Sequence, residues 1–142
     1  MAHRRPIIGI DLGTTRSTAA YVGAAGHVTC LPGCDGEVLT PSCVCIGRDG
    51  LALIGRRALE AGLRDPQRRV QGFKRHLGEE DWNWCVDGRD FSAVTLSALV
   101  LRQLAEDAVR ALGPIGGAVI TVPAYFGDRQ RTATLEAAAG AE

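Results

Sequence analysis

Residues 8–17, Ile-Gly-Ile-Asp-Leu-Gly-Thr-Thr-Arg-Ser, place an aspartate, a glycine, two threonines and a serine behind a short apolar run. Asp11 stands where the run stops, so its carboxylate can leave a sheet and offer magnesium a hard oxygen ligand, directly or through water. Gly13 has no Cβ, which lets backbone approach an anion closely. The N–H groups of Gly13, Thr14 and Thr15, with the two threonine hydroxyls, can line a concave nest for phosphate oxygens. The string is not a Walker loop, which needs Gly-Lys-Ser/Thr. It is not a Rossmann fingerprint, which needs G-x-G-x-x-G opening a helix. An ordinary Asp-Leu-Gly turn between strands is the plain alternative.

A second group of chemically capable side chains is Cys30, Cys34, Cys43 and Cys45, four of five cysteines. Their C-x₃-C and C-x-C spacings do not make the usual zinc knuckle. Small buried hydrophobes is the favoured reading.

The elements that position these residues follow from local pattern. Ile7, Ile8 and Ile10 are β-branched and favour a strand over 7–11. Residues 17–22 form a second strand, which makes the glycine loop a hairpin tip, and 27–31 a third. Thr40-Pro41-Ser42 opens an extended stretch that runs to a turn at Asp49-Gly50, with Leu51 to Ile54 returning beside it. Gly55 to Leu63 reads as a short helix, and Val70 to Leu77 as another helical turn. Asp87-Gly88 marks a hairpin between Trp82–Val86 and Phe91. Leu96, Val100, Leu104, Ala108 and Leu112 recur every four residues, predicting a helix over 92–112 with Ser92 as N-cap. Residues 117–122 read as a buried strand, 123–127 as a turn, and Asp128 as the cap of a last helix.

At 142 residues, 46% of them hydrophobic, the chain can bury a real core. Sixteen basic and sixteen acidic residues cancel, which gives no reason to invoke nucleic acid or a membrane surface. The basic stretch His3-Arg4-Arg5-Pro6 is followed by an apolar run too short for a secretory signal. A cytoplasmic location with reduced cysteines is expected.

Read together, Ile8–Ser17, Thr40-Pro41-Ser42, Lys74-Arg75-His76-Leu77-Gly78 and Val119–Thr134 (VITVPAYFGDRQRTAT) resemble, in order, the motifs of the seventy-kilodalton heat-shock (DnaK-like) chaperones. The compact middle and the Phe-Lys-Arg-His-Leu-Gly string look most like HscC-type bacterial paralogues. Actin-fold sugar and glycerol kinases share the first phosphate loop, but they are not similar to Val122–Phe126. The resemblance implies an α/β, actin-like (ribonuclease H-like) ATPase fold, first lobe only, with a mixed sheet and flanking helices. Residues 1–39 and 114–142 are then the base of the lobe, and 40–113 its upper part.

It also implies ATP and magnesium as cofactors. By the resemblance Asp11 holds the metal through water, and Gly13, Thr14 and Thr15 cradle the phosphates; Arg16, next to them, either adds a charge-assisted contact to phosphate or to a facing lobe, or points to solvent. Pro123 and Arg131 are implied as a relay toward a substrate domain, although by spacing alone they read as a strand stop and an exposed helix residue. Arg16 stands where Asn or Tyr is usual, Gly127 where Asn is, and Leu135 where a lysine is. The catalytic lysine is expected downstream of Lys74, in Glu79–Trp84, which carries none; either Arg16 or Arg89 substitutes, or the parent protein hydrolyses ATP poorly. The partners implied for a full-length parent are a J-domain co-chaperone, a nucleotide exchange factor and unfolded polypeptide.

Three functional readings follow: the front part of an ATP-dependent chaperone, a non-enzymatic binding or regulatory module, and a remnant without function.

Overall fold

In β1 (Ile7–Asp11) side chains alternate outward and inward, so Ile8 and Ile10 enter the core while Ile7, Gly9 and Asp11 face out. The computed structural model describes residues 4–142; His3 of the basic stretch lies outside the described residues. β1 pairs antiparallel with β2 (Arg16–Val22) and parallel with β10 (Gly117–Thr121). β2 continues to β3 (Val28–Cys30), and its first residues also pair with β4 (Thr40–Pro41). The order is β10-β1-β2-β3, a mixed sheet.

A second sheet sets β5 (Cys43–Ile46) between β6 (Ala52–Ile54) and β7 (Arg69–Gln71), all antiparallel. α1 (Arg56–Arg64) packs on it. A hairpin of β8 (Asn83–Val86) and β9 (Arg89–Ser92) turns at Asp87-Gly88, both at positive φ (50° and 73°). That is the primed turn that suits the strand twist.

α2 (Ala93–Leu112) starts where Ser92 accepts the Thr95 N–H at 3.1 Å. Its buried stripe of Leu96, Val100, Leu101, Leu104 and Ala108 joins Ile8 and Ile10 of the first sheet and Val44 and Ile46 of the second in one core. α3 (Asp128–Gly140) lies against α2. The result is a mixed α/β arrangement consistent with one lobe of an actin-like ATPase. Among the described residues no helix is long and apolar enough to cross a membrane.

Three expectations need correction. Residues 70–77 are not one helical turn: Arg69–Gln71 is a strand on β5, and only Phe73–His76 coils, as a 3₁₀ turn. The pairing that decides this lies far away in sequence. β10 is not buried; Val119 is 63% exposed, because β10 is the sheet's edge and one sheet face is open. The last helix is capped at Gly127, whose N–H donates to the Gln130 side-chain oxygen at 2.7 Å, and Asp128 is its first residue.

Cys43 and Cys45 are buried against Ala58, whereas Cys30, Cys34 and Cys85 are exposed. Burial raises the Cys43 thiol from 9.0 to about 11. A raised folded pKa means that stability is full below pH 9 and falls as pH climbs from 9 to 11, by roughly 2–3 kcal/mol. Cys43→Ala is expected to flatten that loss in denaturant melts. Iodoacetamide followed by mass spectrometry is expected to modify the three exposed thiols and spare Cys43 and Cys45.

Ser97, fully buried on α2, has an Oγ without a hydrogen-bond partner among the described residues. An unsatisfied buried hydroxyl costs about 1–3 kcal/mol. Ser97→Ala is therefore expected to raise the melting temperature, and a clear drop overturns this.

Candidate functional site

The loop between β1 and β2 turns within four residues. A Cβ at Gly13 would collide with the Arg16 carbonyl oxygen, so no side chain fits there. The turn is held from inside. Gly13 N–H donates to Ser17 Oγ at 3.1 Å, and the Ser17 and Ser42 hydroxyls are 2.8 Å apart. Ser42 Oγ donates to the Gly13 carbonyl at 2.8 Å, and Ser42 N–H to the Thr15 carbonyl at 2.9 Å.

This corrects the sequence-derived nest. The Gly13 N–H is spent on Ser17 and is not free for phosphate. The N–H groups of Thr14 and Thr15 have no partner among the described residues, and Thr15 is exposed. Asp11 ends β1 beside Thr121 and Thr18, with its carboxylate at the surface.

Sequence reasoning looked for the cation of this loop downstream of Lys74. Residues 79–84 carry no lysine, and Lys74 is half-buried, with its Nζ over the Phe126 ring. Burial lowers its pKa, and the Asp11 charge partly opposes that. Its being the sole lysine was the available signal. The Gly72–Leu77 turn aims it: Gly72 is left-handed, φ 71°, and Phe73 and Leu77 anchor the turn in the core.

The two arginines considered as substitutes are placed otherwise. Arg89 donates to the Gly50 carbonyl at 3.2 Å and lies over the Phe91 ring. Arg16 is exposed and borders a groove of about 640 Å³ with Pro41, Arg56, Leu59 and Arg69. Of residues 79–84, where a lysine was sought, Trp82 stacks on His76 at 4.4 Å and Glu79 bonds His76 at 2.7 Å, while Asn83 and Trp84 open β8.

Phe126 was not singled out from the sequence. Its ring lies under Lys74 Nζ, 5.6 Å from the centroid. A cation over an aromatic face is held electrostatically. Phe126 N–H donates to the Pro123 carbonyl at 3.0 Å, and its carbonyl accepts from Arg131 Nε at 3.3 Å. Pro123 and Arg131 are thus brought to one buried phenylalanine, and that phenylalanine to Lys74.

Chemically, the loop offers amide donors, hydroxyls and an exposed carboxylate at a single sheet end. That donor set suits a polyphosphate with a hard cation.

Comparison with known proteins gives a consistent result. The family model described as "Hsp70 protein" matches residues 7–87 and 79–141. A protein named "Chaperone protein DnaK" from Elusimicrobium minutum is 43% identical over 136 residues, 92% of this chain and 22% of the relative. Proteins of the same name from Thermotoga neapolitana and Thermotoga maritima are 40% identical over 132 residues, again 92% and 22%. The chain therefore spans about a fifth of the length of these curated relatives.

Proposed function

The chain belongs to the Hsp70 family, and from that premise we propose that its residues supply the first phosphate and magnesium loop of an ATP hydrolase that gates the binding of unfolded polypeptide. The observation that supports the reading is the tight loop between β1 and β2, held from inside by Ser17 and Ser42, whose Thr14 and Thr15 amides have no partner among the described residues.

ATP and magnesium fit the donor set. Thr14 and Thr15 would hold phosphate oxygens through N–H and hydroxyl, and Asp11 would hold the ion through water. When bound, magnesium neutralises charge on the phosphates. Lys74 adds a fixed positive charge where phosphoryl transfer develops negative charge, and it orients the attacking water. The Phe126 ring keeps Lys74 in place. Gly13 does not touch phosphate; it lets the backbone turn tightly enough to present the next two amides.

Pro123 and Arg131 act as a relay in this reading, since Phe126 links both to Lys74. Arg16 is kept as a phosphate-proximal charge. The division into a base of 1–39 and 114–142 and an upper part of 40–113 is part of the same proposal. So are a J-domain co-chaperone, a nucleotide exchange factor and unfolded polypeptide as partners of a longer protein, and a cytoplasmic setting, which the free thiols support. Within the family the compact middle and Phe73–Gly78 favour an HscC-type affinity.

One phosphate loop leaves most of a nucleotide solvated, so these residues alone are expected to release no phosphate from magnesium-ATP above background. Turnover equal to that of a whole chaperone overturns the reading. In a longer protein carrying these residues, Asp11→Asn and Thr14→Ala are expected to impair ATP-driven peptide release while leaving the melt intact. Normal release, or failure to fold, removes the assigned roles. A binding or regulatory module without turnover is the second reading, favoured by the large fraction of a nucleotide this loop leaves uncovered.

A further inference from the structure

Ser42 is 1% exposed, as is Ser17, 25 positions away in sequence. A serine hydroxyl has one proton. Ser42 gives its proton to the Gly13 carbonyl. Ser17 therefore gives its own to Ser42 Oγ and receives the Gly13 N–H. The hydrogen bonds run in one direction, from the N–H of Gly13 through two hydroxyls to the carbonyl of Gly13.

We propose that Ser42 is a positioning residue, which with Ser17 closes a one-directional hydrogen-bond ring on Gly13 that turns this N–H inward and leaves Thr14 and Thr15 to present theirs to phosphate. The proposal rests on the reading of residues 11–15 as a phosphate loop.

Bonds in such a ring polarise one another, and each is stronger in a dry interior than in water. Removing one hydroxyl leaves a buried donor and a buried acceptor unpaired, so the ring fails as a unit. Its place in the fold gives it a second consequence. Ser42 sits between β4, which belongs to the first sheet, and β5, the centre of the second. Its backbone N–H also holds the Thr15 carbonyl. A displacement of the second sheet relative to the first acts directly on the loop, and occupancy of the loop resists that displacement.

The test uses the ¹⁵N-labelled chain, amide exchange and titration with inorganic phosphate. In wild type, Gly13 is expected to be protected from exchange while Thr14 and Thr15 are not, and phosphate is expected to move the Thr14 and Thr15 resonances. Ser42→Ala is expected to reduce Gly13 protection about tenfold, although the acceptor of that N–H is Ser17, and to weaken phosphate about tenfold. The α2 core resonances of Leu96 and Val100 stay in place. Ser17→Ala does the same, and the double variant costs no more than either single one. Should Ser42→Ala not fold, Ser42→Cys, with a weak donor, gives the same losses in milder form. Gly13 protection that survives in the variants, or effects that add in the double variant, overturns the ring. Protection lost in Ser42→Ala, with no amide moved by phosphate in wild type, upholds the ring and overturns the phosphate-loop reading instead.

Discussion

Gly13→Ala is expected to weaken phosphate and nucleotide binding about ten- to a hundredfold. The added methyl would overlap the Arg16 carbonyl oxygen, a backbone atom that cannot swing away. Overpacking of this kind costs about 1–3 kcal/mol, and every 1.4 kcal/mol is tenfold in affinity. The strain falls on the turn that aims Thr14 and Thr15, so it is read in ligand affinity as well as in the melt. Gly9→Ala is the control. It adds the same methyl two residues before Asp11, where the nearest atom, the Ala20 carbonyl oxygen, is 3.9 Å away. It is expected to change neither affinity nor melting temperature appreciably. Titration calorimetry on both variants decides the matter. Equal affinities in the two would mean that the tight turn has nothing to do with ligand.

Lys74→Ala is expected to lower single-turnover ATP hydrolysis about 10²–10³-fold in a longer protein that carries these residues. That is the usual cost of deleting one group that stabilises transition-state charge. The affinity for nucleotide falls less, since Thr14 and Thr15 still hold the phosphates. The fold is expected to survive. Lys74 is half-buried and its charge is already disfavoured by burial, so losing it relieves one cost as it removes an attraction to Asp11. Arg89→Ala is the matched comparison: its guanidinium is committed to the Gly50 carbonyl and the Phe91 ring. It is expected to leave the chemical step unchanged. An unaltered rate in both variants would return the search for the cation to Arg16, and a fall confined to Arg89→Ala would assign it to Arg89.

The two variants probe different parts of the site. Gly13 acts through the geometry of the backbone, and Lys74 through charge. A loss of affinity with an intact rate constant points to the turn. A loss of rate with near-intact affinity points to the lysine.

What the sequence determined by itself is what short-range physics controls. The β-branched run at Ile7–Ile10 and the alternation of its faces made β1 readable. Asp87-Gly88 at positive φ made the hairpin readable, because few residues adopt that conformation. The four-residue recurrence from Leu96 to Leu112, with Ser92 before it and Gly113 after it, bounded α2 to within one residue. The tight turn after Asp11 was readable because the loop is contiguous and only a residue without a Cβ fits at Gly13.

Only the tertiary structure decided what depends on partners distant in the chain. Val70 became part of a strand because β5 lay beside it, and no local signal outweighed that pairing. β10 reads as apolar whether it is central or at an edge, and the sheet order alone sets its exposure. Lys74 is 52 positions from Phe126 by number, and its motif gave no indication that its ammonium lies over that ring. Ser17 and Ser42 are unremarkable serines until the fold brings their hydroxyls to 2.8 Å and spends the Gly13 N–H on one of them. Periodicity and turn chemistry act over a few residues, whereas charge, burial and hydrogen-bond satisfaction act through space, so the loop was legible and the side chains that complete it were not.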